Sequence, residues 1–223
     1  MAAARDDLDL APLRAEIAAY RTLVAARRIR LGDEAAFADS SPGARVEARR
    51  ASGAARIAAR HLLDELGADG YAPLPRSPSG APVWPSGIIG SLAHDEAFAL
   101  AAAARRGRLV GLGVDVEPAE PLPQEIVDMV LSEAERRETG DDGVAHRLVF
   151  VAKEAVYKAI HPLDGSWLDF PDIEIRLADR TATLRDGRKL RIIPFAGERL
   201  IAVAFVEAAH VDPPTAGRAI PGS

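Results

Sequence analysis

Two carboxylates stand two residues apart in Gly113-Val114-Asp115-Val116-Glu117-Pro118. On a strand, side chains alternate faces, so Asp115 and Glu117 share one face and Val114 and Val116 the other. Two ionised carboxylates side by side repel, and a divalent cation removes that cost. Gly111 and Gly113 permit close approach by a ligand or another backbone. The same pattern also describes a surface strand end with two solvated acids. A second set lies within Phe150 to Ala159. On a helix, Glu154 and Lys158 sit at i and i+4 on one face, with Lys153 and Tyr157 on a neighbouring stripe. An exposed pair of this kind is worth only about 0.3–0.5 kcal/mol, so the helix alone says little about chemistry. The third set is Trp84 to His94, a Gly- and Pro-containing stretch ending in Ser91 and His94. Read as a loop, it can present backbone N–H groups and an imidazole to phosphate, although a lone histidine is more often structural.

These residues need elements to hold them. Glu16 to Ala26 and Val46 to Leu66 read as helices, the second through Ile57, His61, Leu62 and Leu66, with Gly67 as its stop. Asp69 to Gly90 reads as loop. Phe98 to Ala104 and Leu109 to Glu117 read as strands joined by a turn at Arg106-Gly107. Gln124 to Arg137 reads as one short amphipathic helix and His146 to His161 as a longer one. Four strands follow, over 173–177, 181–184, 190–195 and 200–206, as an antiparallel meander. The tail from Asp212 to Ser223 reads as disordered. This order permits two similar α+β halves, residues 1–109 and 110–211.

Composition narrows the function classes. The chain has 223 residues, 48% hydrophobic and 27% charged, as in an ordinary globular protein. It has no apolar run long enough to span a membrane, and no basic start followed by an apolar core at its N-terminus. Cysteine is absent, so a metal must be held by oxygen or imidazole, and carboxylates favour a hard ion such as Mg²⁺. The net charge of −5 argues against bulk-charge nucleic-acid binding. A local basic patch remains in Arg45, Arg49, Arg50, Arg56 and Arg60. A cytoplasmic monomer without membrane or nucleic-acid partners is the expectation.

Taken in order, Gly-Ser-x-x-His, Gly-x-Asp-x-Glu and Lys-Glu-Ala-x-x-Lys form a specific combination. With Arg76 and the Gly-x-Pro-x-Trp-Pro after it, and with Ala152 to Ala159, it resembles the 4′-phosphopantetheinyl transferases. The closest resemblance is to the monomeric class serving siderophore, polyketide and peptide-synthetase assembly lines, over about Val46 to Leu177. Asp95 after His94, Ala51-Ser52 and Val151 depart from the family pattern, and none of them is a metal-ligand position.

The resemblance implies two halves with antiparallel sheets about a pseudo-twofold axis and a coenzyme A cleft between them. It implies Mg²⁺, with Mn²⁺ as an alternative ion, on Asp115, Glu117 and Glu154. Ser91, His94, Arg56, Arg76 and, less directly, Arg49 would hold coenzyme A phosphates. Lys158 would contact the reacting phosphate, with Lys153 assisting, and Glu154 would act as base. The partner would be an apo acyl or peptidyl carrier protein. Carrier proteins are usually acidic, so docking calls for a local apolar or basic surface. Residues 124 to 137 offer one in Val127, Met129, Val130 and Leu131 with Arg136 and Arg137, although the apolar side of such a helix suits a core equally well. A metal-dependent phosphoesterase and a non-catalytic coenzyme A-binding module are the alternatives.

Overall fold

Alanine-rich sequence favours helix, yet the alanine-rich segments at 22–28 and 98–105 are strands. The computed structural model describes residues 8–36, 45–68, 74–78 and 80–208. In it, β3 (Phe98–Arg105) is the central strand of a three-stranded antiparallel sheet, flanked by β1 (Thr22–Arg28) and β2 (Ile88–His94). Every residue of β3 up to Ala104 is buried. Its small side chains admit α2 (Val46–Glu65), whose Ala54, Ala55, Ala58 and Ala59 pack against this sheet. Tertiary pairing thus overrides local propensity.

The expected helix over 16–26 is corrected on the same grounds. Helix α1 (Ala11–Ile17) ends in a short 3₁₀ turn, and Arg21 takes a left-handed conformation with φ 50°. The chain then enters β1, in register with β3 from Thr22↔Ala104 to Arg28↔Phe98. The loop reading of Trp84 to His94 is corrected too. It ends at Gly87, and β2 carries Ser91 and His94 on a strand paired with β3. The single helix over 124–137 is two, α3 (Gln124–Val130) and α4 (Glu133–Thr139). Leu131 is extended between them, and Ser132 opens α4 with a capping box to Glu135.

The second sheet has five antiparallel strands in the order β4-β8-β7-β6-β5. These are β4 (Leu109–Pro118), β5 (Ile173–Arg176), β6 (Thr181–Leu184), β7 (Lys189–Ala196) and β8 (Arg199–Glu207), the last four being the expected meander. Helix α5 (Gly143–Asp164) crosses its outer face. It starts at Asp142, which accepts from the Val144 and Ala145 amides, and stops at the left-handed Gly165.

The two sheets repeat one topology. Strand, long helix and two strands give β1-β3-β2 in the first and β4-β8-β7 in the second, with β5 and β6 added at the far edge. This is the α+β arrangement of two similar halves with antiparallel sheets. The inner faces share one core with α1, in which Ile89 and Leu100 meet Val114, Val203 and Phe205. Helices α2 and α5 cover the outer faces, and β4 lies against β2 and β3. The predicted tail from Asp212 lies outside the described residues.

Candidate active site

The acids sit where they do because β4 has no side chains at Gly111 and Gly113. A Cβ at Gly113 would lie 1.9 Å from the Ala155 carbonyl oxygen, and one at Gly111 would lie 2.6 Å from that of Ala159. The close approach read from these glycines is therefore that of another backbone, α5. With the helix lying directly on the strand, Lys158 reaches across, and its Nζ donates to Asp115 Oδ1 at 2.6 Å. Glu154, one turn earlier, faces the same acids, and its carboxylate has no hydrogen-bond partner among the described residues.

Charge at this point is only partly compensated. Burial pushes the Asp115 carboxyl above its usual range, against the pull of Lys158. Glu117 is raised by burial and then by the charge of Asp115, with Arg147 opposing. Glu154 is raised by the same two causes in the same order. Glu117 and Glu154 thus each feel the Asp115 carboxylate in a partly dry pocket. From the first sheet, His94 faces them; its imidazole is held below the ordinary value by desolvation and then by the Lys158 cation.

Such an oxygen-only donor set suits a hard divalent cation. The fit lies in charge and donor chemistry rather than in a preset cage. Among the described residues no three metal-binding side chains already converge on one point. Asp115 is turned to Lys158, and Glu117 to Arg147 Nη1 at 3.1 Å.

Beside the acids runs a cleft of about 270 Å³, lined by Ser91, Leu92, Trp84, Tyr157, Lys158 and Trp167 among others. Trp167 is 82% exposed, and with Tyr157 and His161 it forms an aromatic wall, at centroid distances of 5.2 to 6.1 Å. The Trp84 ring lies over Gly90, where any side chain would collide with it. A polar end at Ser91 and Lys158 beside an apolar aromatic wall suits an anionic ligand that carries an organic group.

The other predicted residues divide. Arg76 is exposed beside Pro82, and its Nη2 donates to Ser52 Oγ at 3.3 Å. Arg49 lies on the first turn of α2 with its Nε buried and unpaired among the described residues, a donor open to an acceptor. Arg56 is buried instead, giving Nε to the Leu74 carbonyl and Nη1 to that of Ser52. Through these two donor atoms it ties the loop before Arg76 to α2.

Lys153 is corrected more sharply. It is 1% exposed, its Nζ 2.8 Å from Glu135 Oε2 and donating to the carbonyls of Val130 and Phe170. It points to the α3–α4 side, away from the acids, because residue 153 lies a quarter-turn from 154. An ion pair so enclosed is kept by its hydrogen bonds.

Comparison with known families then decides what this arrangement belongs to. A family model described as the 4′-phosphopantetheinyl transferase N-terminal domain matches residues 34–104. A second, for the 4′-phosphopantetheinyl transferase superfamily, matches 111–204, the segment holding Asp115, Glu117, Glu154 and Lys158. The chain belongs to the 4′-phosphopantetheinyl transferase superfamily.

It is 41% identical over 136 residues to 4′-phosphopantetheinyl transferase Npt of Nocardia iowensis, covering 60% of this chain and 59% of that one. It is 39% identical over 152 residues to Svp of Streptomyces mobaraensis, covering 65% and 60%. It is likewise 39% identical to PptT of Mycobacterium tuberculosis over 124 residues, covering 54% of each. The matched region is thus less than two thirds of each relative's length.

Two residues beside these acids are not marked by the sequence as working parts. Arg147 bonds Glu117 and the Pro121 carbonyl from the face of α5 that carries Glu154. Its place seven residues, about two turns, before Glu154 is a usable signal. Asp95, in sequence only a departure from the family pattern, ties the two sheets together. Its side chain is 1% exposed; Oδ1 accepts from the Ala97 and Phe98 amides, and Oδ2 accepts from Arg199 Nε at 2.6 Å. Arg199 opens β8 opposite Pro118 and, with Arg28, lies over the Phe98 ring. No sequence signal links residues 95 and 199, because only the fold brings them together.

This pair fixes the chain directly after His94, at the end of β2. Under the coenzyme A-dependent function proposed below, Asp95→Ala should raise the KM for coenzyme A about tenfold with kcat changed far less, and Arg199→Ala should act in the same direction. In a double-mutant cycle on KM, the two losses should not add. Additive losses would show that the residues act separately.

Proposed function

We propose that this chain transfers the 4′-phosphopantetheine arm of coenzyme A to a serine of an apo carrier protein, releasing 3′,5′-ADP. The observation that carries the reading is α5 seated on the glycine floor of β4. That contact brings Glu154 and Lys158 to Asp115, with His94 opposite and an aromatic-walled cleft alongside. The carrier is one of a siderophore, polyketide or peptide-synthetase assembly line, and the working unit is a monomer of two halves divided near residue 110.

Asp115, Glu117 and Glu154 would hold Mg²⁺, or Mn²⁺ in its place. When bound, the ion neutralises pyrophosphate oxygens and eases departure of 3′,5′-ADP. The chain's own residues do the rest. Ser91, His94, Arg76 and Arg49 bind the phosphates, the arginines through forked, charge-assisted hydrogen bonds. Glu154 takes the proton from the carrier serine. Its carboxylate spends no oxygen on a hydrogen bond to any described residue, so one is open to accept that proton. The serine oxygen bonds to the β-phosphorus as the bond to 3′,5′-ADP breaks. Lys158 Nζ stabilises the charge on the transferring phosphoryl oxygens. No covalent enzyme intermediate is needed.

The test is intact mass spectrometry of an apo carrier with coenzyme A and Mg²⁺, with and without EDTA. A gain of roughly 340 Da, abolished by EDTA, is expected for a metal-assisted transfer. Coenzyme A cleaved without modification of any carrier would indicate a phosphoesterase. Coenzyme A bound without either event would indicate a binding module.

The carrier would dock beside the acids on α3 and α4. Val127, Val130 and Leu131 belong to the core, but Met129 is 56% exposed and Arg137 is at the surface. Arg136 is engaged with Asp128 and the Leu131 carbonyl, holding α3 to α4. Met129→Asp with Arg137→Glu should therefore raise the KM for carrier about tenfold and leave that for coenzyme A unchanged. An unchanged carrier KM would remove this surface.

A further inference from the structure

A second cleft, of about 610 Å³, opens at the opposite end of β4, lined by Tyr20, Arg21, Arg105, Arg106, Arg108 and Leu109 among others. Four arginines meet here in a chain whose net charge is −5. Arg105 donates to the Leu66 carbonyl and Arg108 pairs with Glu207. The side chains of Arg21 and Arg106 are exposed and have no acidic partner among the described residues. Among the described residues, no acidic side chain lines the cleft. Its walls add apolar surface in Leu66 and Leu109 and in Tyr20, whose ring stacks on Phe205 at 4.1 Å.

The positions are set by backbone geometry. Arg105, Arg106 and Arg108 share the tight β3–β4 turn, and the left-handed residue at the start of β1 aims Arg21 from the neighbouring strand. An arginine in that conformation costs roughly 1 kcal/mol relative to glycine. Six residue steps along β4 take Leu109 to Asp115, about 20 Å of strand, so the acids cannot serve a small ligand held here.

We propose that this cleft is a separate binding site for an organic phosphate. Arg21 and Arg106 would grip the phosphate with forked donors, and the Tyr20–Leu109 wall would take the organic part. Mutual repulsion among the guanidinium groups is relieved when a multivalent anion enters. The affinity therefore falls steeply with added salt. The proposal does not depend on the transferase reading.

The experiment is an amide-resolved NMR titration of the full chain with inorganic pyrophosphate and, separately, with ATP, both without divalent metal. Saturable shifts at Gly107 and Arg108 are expected with both, with tighter binding of ATP because it also uses the apolar wall. Arg21→Gln with Arg106→Gln should weaken both ligands about tenfold or more and leave the shifts that coenzyme A causes around Ser91 and Lys158 unchanged. Shifts confined to the neighbourhood of Ser91 and Lys158 would overturn the proposal. So would a Gly107 titration unaltered in the double variant, or equal affinity for the two ligands at the level of nonspecific surface binding.

Discussion

Glu154→Gln is expected to lower kcat for carrier modification about a thousandfold, the middle to upper range for loss of a general base. Glutamine has the size and shape of glutamate, so α5 keeps its seat on β4 and the cleft keeps its walls. What is lost is a proton acceptor and a negative charge on which the Asp115 carboxylate presses. Coenzyme A should still bind, more weakly, because Ser91, His94 and Lys158 are untouched. The measurement is steady-state transfer by intact mass, together with calorimetric binding of coenzyme A. Activity near that of the parent protein would take Glu154 out of the mechanism, whatever happened to binding.

The second large effect is structural. Gly113→Ala places a methyl group 1.9 Å from the Ala155 carbonyl oxygen and 2.7 Å from the Ala159 amide. Both contacts are backbone, so no side-chain rotation relieves them. Helix α5 must lift from β4, which parts Lys158 from Asp115 and opens the core formed by Val151, Ala155, Val156 and Ala159. A cost above about 3 kcal/mol is expected, seen as a fall in Tm of roughly 10 °C or as insoluble protein. Transfer activity should be lost with it. Gly107→Ala is the control, since nothing lies within 4 Å of a Cβ there, and its Tm should match that of the parent. Equal Tm values for the two variants would mean that the helix does not rest on these glycines.

Local spacing alone places Asp115 with Glu117 on one strand face and Glu154 with Lys158 on one helix face, since these relations are fixed by the periods of strand and helix. The short motifs around these residues suffice for the family resemblance. Periodicity and turn residues also locate the last four strands and both long helices close to their observed ends. Ala-rich segments are harder. Glu16 to Ala26 contains helix-forming residues, and only pairing with β3 makes its second half a strand.

What the tertiary structure alone decided are the relations between distant segments. Asp115 meets Lys158, Glu117 meets Arg147 and Asp95 meets Arg199 across separations of 43, 30 and 104 residues. It also decided which of two adjacent lysine and glutamate positions faces inward. Lys153 and Glu154 are neighbours in sequence, but about 100° of helix rotation sends one to Glu135 in the interior and the other to the acids. Sequence specifies side-chain direction along an element; which neighbour receives that side chain depends on how the elements pack, and here two missing side chains on β4 set that packing.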